Sequence, residues 1–147
     1  MKFECSTIIN LPLEKTVALF NNEANLYHWQ DGLQRIDHLE GVPGQVGARS
    51  RMFFKNKKYE FELIETILVS NLPYELKGLY QHEHMDNTMS NHFSALDKQR
   101  TLYEARIEYL EFKSFMPKLM SFIMPGMFKK QTQKWLDQFK LFAESQV

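Results

Sequence analysis

Apolar and polar positions along this chain follow two periods in succession. From residue 33 to residue 112 they alternate over a series of short segments, and from Phe115 onward they recur at helical spacing. Tyr59, Phe61 and Leu63 alternate with Glu60 and Glu62, while Ser50, Met52 and Phe54 share one face opposite Arg49, Arg51 and Lys55. Both segments read as half-buried strands. Residues 2–11 predict a first strand. Pro12 opens a short helix with the stripe Leu13, Val17, Leu19 and Phe20, and residues 23–30 predict a second one ending at Asp31-Gly32. Residues 33–40 form a strand, 41–47 a turn around Pro43, and 74–83, 87–96 and 101–112 three further strands.

Register follows from the turns. A loop at residues 98–100 sets Ala95 opposite Tyr103, Phe93 opposite Ala105, Asn91 opposite Ile107 and Met89 opposite Tyr109. A turn at residues 84–87 sets His82 opposite Met89, Tyr80 opposite Asn91 and Gly78 opposite Phe93. One sheet face is then apolar but dotted with Tyr80, His82, Asn91, Tyr103 and Tyr109, which is wetter than a dry core requires. Gly78 marks a place where the sheet bends or admits a bulky neighbour.

The last third supplies a matching surface. Phe128, Trp135, Leu136, Phe139, Phe142 and Ala143 recur every three or four residues. Pro125-Gly126 breaks the helix, leaving a piece at residues 117–124 ahead of it. The density of Met120, Met124, Met127 and Phe128 suggests a lid of adaptable side chains over a space that the protein alone does not fill.

Composition narrows the function classes. Eighteen basic residues balance eighteen acidic ones in 147 residues, so no net charge draws the chain to nucleic acid or anionic lipid. A local excess of lysine after Phe115 reads as a solvated helix face. Cys5 is the only cysteine, which leaves no internal disulfide and no cysteine metal cluster. Residues 1–10 lack the apolar core of a signal peptide, and the stretch 115–128 is too short and too interrupted to span a bilayer. The expectation is one cytoplasmic domain over residues 1–147, with no stable membrane insertion.

The residues His28-Trp29-Gln30-Asp31-Gly32-Leu33 followed by Leu39-Glu40-Gly41-Val42-Pro43-Gly44-Gln45-Val46-Gly47 resemble the Trp-x-x-x-Leu … Glu-Gly-x-x-Gly-x-x-Gly segment of polyketide cyclase/dehydrase-like proteins. The ending Trp135-Leu136-Asp137-Gln138-Phe139-Lys140 with Ala143-Glu144 looks like that group's final helix. With the element order, this resembles the START-like, helix-grip superfamily (SRPBCC) over essentially the whole chain. The resemblance implies an α+β helix-grip fold. A curved antiparallel sheet of about seven strands wraps a long C-terminal helix, and two short helices follow the first strand. It also implies a cavity between sheet and helix for an apolar or aromatic small molecule. Members bind lipids, sterols or ubiquinone, cyclise or dehydrate polyketides, or activate a chaperone ATPase through surface contact.

The candidate site combines both lines. Tyr80, Phe93, Tyr103, Ile107 and Tyr109 would form the cavity wall, Met120, Met124, Met127 and Phe128 the lid, and Trp135 a deeper contact under the helix. His82 and Asn91 would be polar anchors. His82 is the sharpest candidate for moving a proton, since imidazole titrates near neutrality, against the alternative of a hydrogen-bonded rim residue. Continued alternation aims Glu65 inward, where it would pair with His82; a bulge near Ile64 would turn it to solvent instead. His82-Glu83-His84 offers no third metal ligand, and Gly41, Gly44 and Gly47 precede a strand rather than a helix, so neither a metal nor a dinucleotide cofactor is expected. Binding of a small hydrophobic molecule is the favoured reading over catalysis. A cyclase or dehydratase using His82 and Glu65, and an interaction module with a vestigial cavity, are the alternatives.

Overall fold

The computed structural model describes residues 1–57, 60–113 and 125–146. Its elements are β1 (Lys2–Ile9), α1 (Leu13–Phe20), a 3₁₀ turn (Glu23–Asn25), α2 (Leu26–Trp29), β2 (Leu33–Glu40), β3 (Arg49–Lys55), β4 (Glu60–Asn71), β5 (Glu75–His82), β6 (Met85–Ala95), β7 (Thr101–Phe112) and α3 (Pro125–Glu144). Among the described residues the strands form one antiparallel sheet in the order β1-β7-β6-β5-β4-β3-β2. The chain therefore leaves one edge of the sheet at β1, crosses by α1 and α2, and re-enters at the other edge through β2. This is the curved sheet, helix pair and C-terminal helix that the alternation and the later helical period predict.

Local chemistry explains the boundaries. Pro12 stands at the N-cap of α1, and the Asn22 side chain accepts from the Ala24 N–H to start the 3₁₀ turn. The expected second helix is thus a 3₁₀ turn and one α turn rather than a continuous rod. Helix α3 starts at Pro125, whose missing N–H is harmless at a first helical position. The piece expected at residues 117–124, with Met120 and Met124, lies outside the described residues, as does Tyr59.

Two registers differ from expectation, both by an even number. Phe93 faces Tyr103 and Ala95 faces Thr101, a shift of two residues, because residues 96–100 form the loop. Asp97 organises it by accepting from the Gln99 N–H and pairing with Arg100 at 2.8 Å. Across β5 and β6, Gly78 faces Met89 and Tyr80 faces Asn87, because the connection is only Glu83-His84. There the His84 N–H donates to His82 Nδ1, and the Lys113 N–H to the His84 carbonyl. An even slip changes every partner but moves no side chain through the sheet, so the predicted faces persist.

The interior packs as two cores. The larger joins Cys5, Ile9, Leu11, Phe20, Trp29, Phe93, Tyr103, Ala105, Ile107, Leu136, Phe139 and Ala143, under α1 and α3. Its centre is aromatic: Phe20 lies 4.8 Å from Phe93, Phe93 4.5 Å from Tyr103, and Trp29 5.4 Å from Phe139 between ring centroids. Full burial of Leu136 and Phe139 contributes about 1.5–3 kcal/mol each and holds α3 to β1 and α2. The smaller core, Leu33, Met52 and Phe54 with Ile36, Phe61, Leu63 and Tyr80 beside it, sits at the β2–β4 end. Leu26 touches both.

Candidate functional site

Between the two cores the sheet is not covered by packed side chains, and a cleft of about 510 Å³ opens there. Its floor is Met52, Glu65, Ile67, Leu76, Tyr80, Met89 and Asn91 from β3 to β6. Its walls are Phe20, Leu26 and Trp29 on the helix side and residues 43–45 of the β2–β3 turn on the other. Among the described residues no α3 side chain lines this cleft, and the expected lid residues Met120 and Met124 lie outside the described residues. Here the partner layer is α1, α2 and the turn. The turn folds over β4 because the Gly47 N–H donates to the Ile67 carbonyl at 2.8 Å and Ser70 Oγ to the Gly44 carbonyl at 2.6 Å. Gly41 permits this: its φ is +81°, and a Cβ there would stand 2.8 Å from the Ala48 Cα.

Glu65 faces inward. The irregularity in β4 falls between Ile67 and Val69, beyond Glu65, so alternation holds up to the carboxylate. Its expected pairing with His82 does not form. Glu65 lies opposite Tyr80 and His82 opposite Leu63, and the Tyr80 hydroxyl donates to Glu65 Oε2 at 2.9 Å. Burial raises the Glu65 carboxyl above the ordinary carboxylate range; the Tyr80 hydrogen bond pulls it down, and the nearby Glu23 charge raises it further. Burial, with Glu65 adding to it, holds the Tyr80 hydroxyl well above its usual value, so Tyr80 remains a donor.

Asn91 is set from beneath. The Tyr103 hydroxyl, kept protonated by burial, donates to Asn91 Oδ1 at 2.7 Å, and Asn91 Nδ2 donates to the Leu76 carbonyl at 3.3 Å. The amide is thereby oriented, with one Nδ2 hydrogen left over. Trp29, 3% exposed, presents an indole N–H with no hydrogen-bond partner among the described residues.

The remaining predicted site residues occupy other places. Phe93, Tyr103 and Ile107 belong to the packed larger core rather than to the wall of this cleft. Tyr109 is half-buried on the α3 side, 4.9 Å from the Phe128 ring, and burial pushes its hydroxyl up to about 12. Trp135 packs against the same core, and Met127 is 38% exposed. His82 sits by the β5–β6 turn, edge-on to Phe61 at 5.5 Å, and is absent from the cleft lining. Burial lowers its imidazole and His84 adds to the effect; its Nδ1 is engaged by the turn, which makes it a structural acceptor.

Sequence reasoning passed over Trp29, Leu26, Ile36 and Met52, which line the cleft from elements distant in the chain. The one available signal was the turn with three glycines, whose backbone approaches β4. On the opposite sheet face, Ser90 donates to Glu75 and lies 2.8 Å from His92 Nε2, while His92 Nδ1 meets the Tyr74 carbonyl. The carboxylate contacts the serine rather than Nδ1, so no nucleophile–base–acid relay forms. Among the described residues no three His, Cys, Asp or Glu side chains are grouped to hold a metal ion, and no helix is long and apolar enough to cross a membrane.

No protein-family model and no curated protein matches the chain. Solved structures do. The Zhui aromatase/cyclase from a Streptomyces superposes with a TM-score of 0.81 over 98% of this chain and 93% of that one, at 9% identity. Major latex-like protein 151 of Panax ginseng gives 0.69 over 97% of each chain at 15% identity. Norcoclaurine synthase of Thalictrum flavum, solved with dopamine and hydroxybenzaldehyde, gives 0.72 over 100% of this chain and 88% of that one, at 11% identity. At such identities the likeness establishes architecture and leaves chemistry to the site itself.

Proposed function

We propose that this chain, which has the START-like helix-grip fold of those cyclases and latex proteins, binds a small hydrophobic molecule in the cleft between its two cores. The observation that carries the reading is the cleft: about 510 Å³, walled by Phe20, Leu26 and Trp29, with Met52, Met89, Glu65, Tyr80 and Asn91 on its floor. That is the size of a small-molecule pocket, with apolar side chains and polar groups in nearly equal share along its lining. The helix-grip relatives give the same expectation. In this reading Tyr80, Glu65 and Asn91 orient the ligand, Phe93, Tyr103 and Ile107 support the floor, and Met127, Phe128, Tyr109 and Trp135 extend the apolar surface towards α3.

The test is native purification followed by mass spectrometry of small molecules released on denaturation, together with ligand-dependent melting. Wild type gains thermal stability with an apolar aromatic probe, and Met89→Trp, which fills the cleft, does not. Equal responses from both proteins would remove the cleft from the reading.

A second reading rests on the Glu65–Tyr80 hydrogen bond. A raised carboxyl beside a phenol can take a proton from one atom of a bound polyketide-like substrate and return it to another, as cyclisation or dehydration requires. It predicts that Tyr80→Phe keeps ligand affinity and loses turnover. Turnover unchanged in Tyr80→Phe would remove the phenol from the chemistry.

A further inference from the structure

We infer that the cleft takes an apolar molecule whose polar end is a hydrogen-bond donor, a hydroxyl or an ammonium, and turns away carboxylates and phosphates. The inference rests on the binding reading above and adds the ligand's chemical class. It comes from the charges that line the cleft. Glu23 and Glu65 are present, and among the described residues no lysine or arginine lines it. The remaining polar lining, Asn21, Gln30, His38, Gln45, Ser50, Ser70, Tyr80 and Asn91, carries no fixed positive charge.

Sheet alternation enforces this. On β3, Ser50 and Met52 line the cleft, while Arg49, Arg51 and Lys55 occupy the intervening positions. Arg49 pairs there with Glu40 at 2.9 Å and Lys55 with Glu60 at 3.3 Å. Arg49 and Lys55 are thus committed to the other face.

The acceptor is only half used. Tyr80 occupies Glu65 Oε2, and Oε1 has no partner among the described residues. A ligand donor completes it, and an ammonium also offsets the charge that burial disfavours. A carboxylate would bring a second anion beside Glu65 with no cation among the described lining residues to neutralise either, and the neutral N–H group of Asn91 does not replace one. A hydroxyl can donate to Glu65 while accepting from the Asn91 amide. The raised Glu65 carboxyl agrees with a carboxylate taken largely out of water.

The experiment compares three probes of one shape, naphthylethylamine, naphthylethanol and naphthylacetate, by calorimetry at neutral pH with wild type, Glu65→Gln and Met89→Trp. Wild type binds the amine and the alcohol at least about tenfold more tightly than the acid. Glu65→Gln, which retains an acceptor, keeps the alcohol, loses the preference for amine over alcohol and admits the acid. Met89→Trp binds none. Glu23→Gln, at an exposed position by the mouth, gives a smaller change in the same direction and serves if Glu65→Gln does not fold. Naphthylacetate binding as tightly as the other two, and lost in Met89→Trp, would overturn the charge inference and leave the binding reading standing. No binding of any probe to wild type would overturn the binding reading itself.

Discussion

The Tyr80 ring lies back over Gly78 so closely that a Cβ at position 78 would stand 2.9 Å from the phenol's Cζ and hydroxyl oxygen. The two residues share one face of β5, and the missing side chain at Gly78 gives the ring the space from which its hydroxyl reaches Glu65 on β4. A glycine inside a strand costs stability by itself; here it sets the direction of a polar group in the cleft.

Gly78→Ala therefore forces the ring aside and breaks the Tyr80–Glu65 hydrogen bond. The expected loss is about 1–3 kcal/mol, the usual cost of overpacking, measured by urea unfolding. Unaltered stability would mean that the ring swings away freely and that its position over Gly78 is incidental.

Glu65 makes folding pH-dependent. Burial raises its carboxyl in the folded state above the ordinary value near which it titrates when unfolded. Between those two values the folded chain holds more protons, so this group's contribution to stability falls as pH rises through that window. Above the window the ionised, buried carboxylate opposes folding; below it the effect vanishes. Glu65→Gln should accordingly melt higher than wild type at neutral pH, with the difference shrinking as pH is lowered through the carboxylate range. A constant difference across pH would assign the effect to packing rather than to charge.

Tyr103→Phe removes the donor that holds Asn91 Oδ1. Both side chains are buried, at 0% and 4% exposure, so water does not replace the bond. A loss of about 1–3 kcal/mol is expected in urea unfolding. The freed amide should also weaken binding of a cleft ligand that uses Asn91, although Tyr103 itself lies in the core.

Phe139→Ala tests the join between α3 and the rest of the molecule. Phe139 is fully buried and meets Phe20, Trp29 and Tyr103 at 5.4–5.8 Å between centroids. The cavity left behind should cost about 3–5 kcal/mol. Trp29, which belongs both to this cluster and to the cleft wall, should report the change in its fluorescence.

Much of the architecture is legible in the pattern of residues. Alternation in β3 to β7 identifies the inward face, and the errors in hairpin register leave it intact because they are even. The stripe of Leu136, Phe139 and Ala143 identifies the buried side of α3. The direction of Glu65 stays open between two alternatives in the sequence, since alternation alone does not reveal where a bulge falls.

What the sequence determines by itself is the period of each segment and hence which side chains share a face, because those follow from local backbone geometry. Only the tertiary structure decides which faces meet. Turn chemistry at Asp97 and at His84 sets the registers, so Glu65 meets Tyr80 and not His82. Phe93, Tyr103 and Ile107 pack into a core because α1 and α3 happen to cover that end of the sheet. The cleft lies between the two cores, where α1, α2 and the β2–β3 turn face the sheet, and its lining comes from elements as distant as Phe20, Met52 and Met89. Such a space is a property of how layers fit together, and no single segment carries its signature.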